Sequence, residues 1–314
     1  MAIDYAALPE AAPYEPSEID HDLAYASDGD IAHFKAQGFF VKRGLLDDLD
    51  SLSAIRRYMW ARVPRQLMRE DDPDSWLAKP HRKWNEEDAC RVGLLSRGSW
   101  KMRSRTIGTE TFLVDATARH PRLRAIAARL IGLPLRPTVR VRGVYCILPR
   151  PPGVEGYLGP HTDDQSAQLG AMVLIDDVPP RCGGFTLWPG THHNFRPHWT
   201  ANVGGRIVEK EAYEREVAEV LANVTPVEIT GKAGDVVFWH GRMMHSAGIN
   251  HSAVEGNRPV ARLVVPCDFQ RGGKTWYDDD ERGPGDIAQW WIDTRNFRED
   301  PPPTQDNIWH DWAI

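Results

Sequence analysis

The stretch GPHTDD, residues 159 to 164, sets one imidazole and two carboxylates close together. In extended backbone, side chains two residues apart leave on the same face. His161 and Asp163 can therefore converge on one ion, while Asp164 points away. A His-x-Asp pair alone is more often a solvated loop than a ligand pair, so a further donor is needed. The segment GDVVFWHGRMMHSAGIN offers His240, just past Phe238, and His245, which follows the apolar run in a setting of small residues. A third group is Arg262 in RPVARLVVPCDF. A guanidinium in a half-buried strand stays charged and needs a compensating anion. A carboxylate is its natural two-pronged partner, although a nearby acid or water could also serve. Arg258, beside Pro259, is the other arginine of that segment.

These groups need a scaffold. SDGDIAHFKAQGFFVKRGLL predicts a short helix with N-cap chemistry at Ser27, Asp28 and Asp30, a stop at Gly38, and a strand over Phe39 to Val41. Leu45, Leu49, Leu52, Ile55 and Met59 recur at helical intervals within residues 45 to 63. Residues 70 to 100 read as irregular. A second helix is expected from Pro121 to Ile131, with proline in its first turn and Gly132 after its end. Short strand candidates follow: RPTVRVRGVYCILPR, AMVLIDDV, GFTLWPG, TPVEITG, GDVVFWHG and VARLVVPCDF, with a helical insert near residues 209 to 222. Helices first and strands after predict an α+β chain with a mainly β core, a barrel or sandwich buttressed by N-terminal helices. With no repeat and no clean linker, residues 1–26 form an N-terminal extension and 27–314 a single domain. Its core spans about 136–270, and a Trp-rich tail over 271–314 packs on the helices.

The bulk properties exclude more than they assign. The chain has 314 residues, 26% of them charged, and a net charge of −6. A nucleic-acid partner would more often leave a basic excess. There is no apolar run of bilayer length and no basic-then-apolar leader, so a cytoplasmic protein without membrane attachment is expected. Cys90, Cys146, Cys182 and Cys267 form no CxxC pair and read as reduced structural thiols rather than a zinc or disulfide framework.

Two histidines and one carboxylate on a barrel form the facial triad of non-haem iron oxygenases, which leaves three coordination positions open. Imidazole and carboxylate suit Fe(II), whereas thiolates would point to zinc. The chain also resembles the phytanoyl-CoA dioxygenase-like branch of the Fe(II)/2-oxoglutarate oxygenases. RPPGVEGYLGPHTD is similar to that family's Pro-Gly loop running into His-x-Asp. LIDDVPPRCGGFTLWPGTH is similar to its signature around Pro189-Gly190-Thr191-His192. GDVVFWHGRMMHSAGIN is similar to its strand and distal histidine, with the H-x-x-x-x-N pattern ending at Asn250, and GDIAHFKAQGFFVKRGLL is similar to its N-terminal opening. The likeness covers roughly residues 28 to 270.

The resemblance implies a double-stranded β-helix, or jelly roll, with His161, Asp163 and His245 as Fe(II) ligands. It implies 2-oxoglutarate as co-substrate, its far carboxylate on the last-strand arginine, O2 as oxidant, and release of succinate and CO2. The family's arginine usually lies closer to the distal histidine than Arg262 does. HSAVEGNRPV therefore reads as an insertion, with Arg262 preferred and Arg258 next. Arg150 stands where some relatives carry a lysine, and Tyr145 and Met172 are expected on strands near the co-substrate. Halogenating relatives replace the carboxylate at position 163 with a small residue, so Asp163 favours hydroxylation or a related C–H oxidation, and a small-molecule substrate is expected. A cupin-type metal enzyme without 2-oxoglutarate and a catalytically silent binding barrel are the alternatives. His240, His192 and His193 read as structural or surface groups. Arg103 and Arg105, two apart on a possible strand, read as a solvated face, with an anionic substrate as the alternative partner.

Overall fold

The computed structural model describes residues 9–14, 25–63, 65, 68–77, 101–104, 106–150, 159–163, 168–195, 202–203, 206–207, 210–253, 259–271, 308–309 and 312–314. Helix α1 (Asp28–Gln37) is opened by a reciprocal capping box between Ser27 and Asp30. Gly38, at φ 82°, ends it in the left-handed conformation that favours glycine. The chain passes at once into β2 (Phe39–Lys42). Helices α2 (Leu49–Ala61), α3 (Thr111–Ala116) and α4 (Pro121–Ile131) follow, with β3 (Lys101–Ser104) before α3.

The remaining strands build two sheets. The larger has the order β2-β10-β5-β12-β4-β3, where β4 is Val144–Ile147, β5 Leu169–Leu174, β10 Val236–His240 and β12 Arg262–Phe269. The smaller has the order β1-β9-β6-β11, from Ala12–Tyr14, Val227–Ile229, Phe185–Leu187 and His245–Ala247. A two-stranded ribbon, β7 (Asn202–Val203) and β8 (Arg206–Ile207), precedes helix α5 (Lys210–Asn223).

Alternation along the strands explains the layers. One face of the large sheet carries Ala171, Val173, Phe238 and Val265 against Phe34, Leu52, Ile55 and Ile126 of the helices. The other face carries Met172, Leu174, Trp239 and Val264 against Phe185, Leu187 and Ile229 of the small sheet. Central strands buried on both faces read as continuous apolar runs such as LGAMVL. This is the expected jelly roll, braced by the N-terminal helices. The site lies between the two sheets.

Three local expectations change. The helix over 45–63 begins only at Leu49, because Asp48 caps it by accepting the Ser51 N–H; Leu49 itself is 52% exposed. The stretch from Arg136 extends without a ladder until Val144, held by single bonds such as Arg142 N–H to the Pro266 carbonyl at 3.1 Å. In the N-terminal lead-in, Ala12–Tyr14 forms a strand parallel to β9. Of the tail, Trp309 and Trp312 pack on Phe34 of α1 and on His240, while its other tryptophans lie outside the described residues. No helix among the described residues is long and apolar enough to cross a membrane.

Candidate metal centre

His161 and His245 are tied backbone to backbone. Each N–H donates to the other's carbonyl, at 3.0 and 2.9 Å, in an isolated antiparallel bridge. Such a pair sets the two side chains together, and the ring centroids lie 4.7 Å apart. His161 Nδ1 lies 2.8 Å from the Gly159 carbonyl and His245 Nδ1 lies 2.9 Å from the Met243 carbonyl. A carbonyl only accepts, so both Nδ1 atoms carry the proton and both Nε2 atoms present a lone pair. Asp163 completes the set, with Oδ1 3.7 Å from His161 Nε2 and Oδ2 3.4 Å from His245 Nε2. Cis ligands about 2.1 Å from one ion sit about 3 Å apart, so a small inward movement closes the site. Among the described residues this is the only cluster of three such donors with ligand atoms within 4.8 Å of one another. His161 keeps 32% of its side-chain exposure, so the centre is reachable from that side.

The charge of Asp163 is secured by a residue the sequence did not single out. Arg142 Nη1 donates to Asp163 Oδ2 at 2.6 Å, while its Nε and Nη2 donate to the two oxygens of Asp268 at 2.7 Å each. Burial works against a carboxylate here, but the Arg142 guanidinium outweighs it and holds Asp163 well below the usual carboxylate range. The same pair of carboxylates overcomes the burial of Arg142 and raises it well above its ordinary value. Arg142 escaped notice because RVRG reads as a strand with a polar outer face; its partner lies on the last strand.

Arg262 opens β12 on the face shared with Val264 and Asp268, and is 2% exposed. Its Nε donates to the Gly183 carbonyl at 2.7 Å. That carbonyl belongs to a tight turn with Arg181 at φ 61° and Gly183 at φ 79°. The Glu228 carboxylate fastens the turn by accepting the Arg181 and Gly184 N–H groups at 2.8 Å. A Cβ at Gly183 would meet Ile147 Cγ2 at 2.8 Å, so the close approach requires glycine. No other hydrogen bond or ion pair of this guanidinium falls among the described residues. Burial accordingly pushes it down to about 10, against the weaker pull of Cys146 and Glu228.

Tyr145 and Met172 face the space between the sheets, Tyr145 opposite Val264 and Met172 opposite Val237 and Pro266. Arg150 follows β4, its N–H on the Asn250 carbonyl at 2.8 Å. Arg258, Asp164, Arg105 and the Pro-Gly loop at 151–158 lie outside the described residues. His240 turns to the opposite face of β10 from Trp239, where it stacks on Trp312, so it is buried rather than a surface group and stands apart from the triad. Trp239 sits on Gly170, where a Cβ would lie 2.2 Å from its ring, and near His245; its indole N–H is buried without a partner among the described residues.

A family model described as Phytanoyl-CoA dioxygenase (PhyH) matches residues 34–258. Among solved structures, EctD from S. alaskensis with bound Fe is 16% identical and covers 85% of either chain at a TM-score of 0.50, a likeness of fold. The carbocyclase SnoK from nogalamycin biosynthesis, described as non-heme and alpha ketoglutarate dependent, is 18% identical over 79% of this chain and 85% of its own, at 0.47. AviO1 from Streptomyces viridochromogenes Tue57 is 20% identical over 81% of this chain and 96% of its own, at 0.47. No curated protein matches.

Proposed function

Because the chain belongs to the phytanoyl-CoA dioxygenase family, we propose that it is an Fe(II)- and 2-oxoglutarate-dependent dioxygenase that hydroxylates a small molecule. The observation that carries the reading is the convergence of His161, Asp163 and His245, with both Nε2 lone pairs and an ionised carboxylate turned to one point. This donor set suits divalent iron and leaves three positions open. Fe(II), 2-oxoglutarate and O2 together supply an oxidation of a substrate C–H bond, with succinate and CO2 as co-products.

The chain's own residues do the rest. His161, Asp163 and His245 bind the ion. Arg262, buried with one carbonyl for company, takes the far carboxylate of 2-oxoglutarate as its missing anion. Met172 and Tyr145 wall that co-substrate, and Arg150 stands at the rim of the same strand. A cupin-type reaction without 2-oxoglutarate would leave Arg262 a buried cation with no purpose, and a silent binding barrel would have no use for an intact triad.

The test is anaerobic addition of Fe(II) and then 2-oxoglutarate, followed by visible spectroscopy. A weak charge-transfer band that needs both additions is expected, and His161→Ala abolishes it. Full metal binding without the band in the wild type would sink the reading. Arg262→Ala should weaken 2-oxoglutarate binding more than iron binding; the same result from Arg258→Ala alone would move the co-substrate contact to that residue.

A further inference from the structure

We propose that Arg142, gripped by Asp268, is a positioning residue that holds Asp163 to one-oxygen ligation, so that the metal keeps its open positions for co-substrate and O2. The proposal rests on the metal-centre reading above. A carboxylate can chelate an ion through both oxygens, and doing so at Asp163 would fill a position that the reaction needs. Arg142 Nη1 already sits 2.6 Å from Asp163 Oδ2, so two-oxygen ligation would have to compete with a charge-assisted hydrogen bond.

The guanidinium cannot swing aside to permit it. Its other edge is locked on Asp268 by two 2.7 Å bonds, and its backbone N–H is bonded to Pro266. Asp268 is itself fixed in β12, with a side chain 2% exposed. The planar fork explains the choice of arginine. One edge engages Asp268 while the remaining nitrogen reaches Asp163, a division that the point charge of lysine cannot reproduce. Two carboxylates against one guanidinium also leave the cluster one negative charge, which favours a divalent cation without neutralising it.

Co(II), which needs no anaerobic handling, probes the coordination mode through its d–d absorption. Co(II) binding, the d–d spectrum and 2-oxoglutarate affinity would be measured for the wild type, Asp268→Asn, Arg142→Lys, Arg142→Met and Asp163→Ala. Asp268→Asn and Arg142→Met should keep Co(II) binding within about 10-fold of wild type, change the d–d bands, and weaken 2-oxoglutarate by about 10-fold or more. Arg142→Lys should fall between. Asp268→Asn is nearly isosteric and carries the test if Arg142→Met does not fold. A wild-type spectrum and wild-type 2-oxoglutarate affinity in the folded variants would reduce the pair to a structural ion pair and overturn the proposal. Loss of Co(II) as complete as in Asp163→Ala would overturn it too, since the pair would then be building the site rather than choosing its coordination mode. Failure of the wild type to bind Co(II) would overturn the metal-centre reading, and this one with it.

Discussion

Arg142 and Arg262 are both buried arginines facing the space between the sheets, and they solve the same problem in opposite ways. Arg142 has two carboxylates within 2.7 Å, and its charge is held more firmly than in water. Arg262 has one backbone carbonyl, and burial weakens its hold on the proton. A resident pair of carboxylates makes Arg142 part of the frame, whereas under the proposed function Arg262 awaits the carboxylate of 2-oxoglutarate. His192 takes a third course. Fully buried, with Nε2 on the Lys35 carbonyl, it gives up its charge, pushed down to about 3 by burial and by the neighbouring His193 and Arg242.

The sharpest way to break this contrast is to truncate each arginine. Arg142→Met leaves two buried carboxylates facing each other and should cost about 3–5 kcal/mol of stability, read by urea denaturation. Arg262→Met removes a charge with no carboxylate in hydrogen-bond reach among the described residues, so the ligand-free protein should lose only the bond to the Gly183 carbonyl, about 1–2 kcal/mol. Its 2-oxoglutarate affinity should instead fall by about 3 kcal/mol, roughly 100-fold, in a binding titration. Equal destabilisation by the two changes would end the distinction.

A smaller effect concerns His192. Its folded pKa lies below the unfolded value of about 6.5, so the stability it contributes is complete above that pH and lost as pH falls toward 3. The slope is about 1.4 kcal/mol per pH unit, or roughly 2 kcal/mol by pH 5. Since His33 and His120 are also lowered by burial, the difference between wild type and His192→Gln isolates the share of His192. Least affected should be Arg56→Ala. Arg56 is 41% exposed between Glu70 and Asp176, and its removal should cost under about 1 kcal/mol, shrinking further in high salt.

What could be read in the chain, and what could not, divides along the same line. His161, Asp163 and His245 announce themselves through residue type and local spacing, and Arg262 through its place in an apolar run. The helices at 28–37 and 121–131 carry their caps beside them. Arg142 carries no such mark, because its meaning depends on Asp163 and on Asp268, which lies on a different strand. Ala12–Tyr14 is equally silent. Ala-Pro-Tyr in a proline-rich lead-in has little strand propensity, and the ladder that makes it a strand comes from Val227–Ile229. Leu49 errs the other way. It keeps the apolar period but falls in the first turn, where the Asp48 cap rather than packing sets the register.

The pairing of Trp312 with Phe34 and His240 bears on the order in which the molecule assembles. Phe34 stands near one end of the chain and Trp312 near the other, and their rings lie 5.3 Å apart. The Ala313 N–H is bonded to the Leu130 carbonyl at 2.8 Å. Contacts this distant in sequence are slow to form, because the loop they close is costly in entropy. Until they form, the apolar flank of α1 and the end of the strand that leads to His245 stay wet. The Trp312 contact should thus be a late clasp, closing on α1 and on the strand that leads to His245 after the sheets have paired.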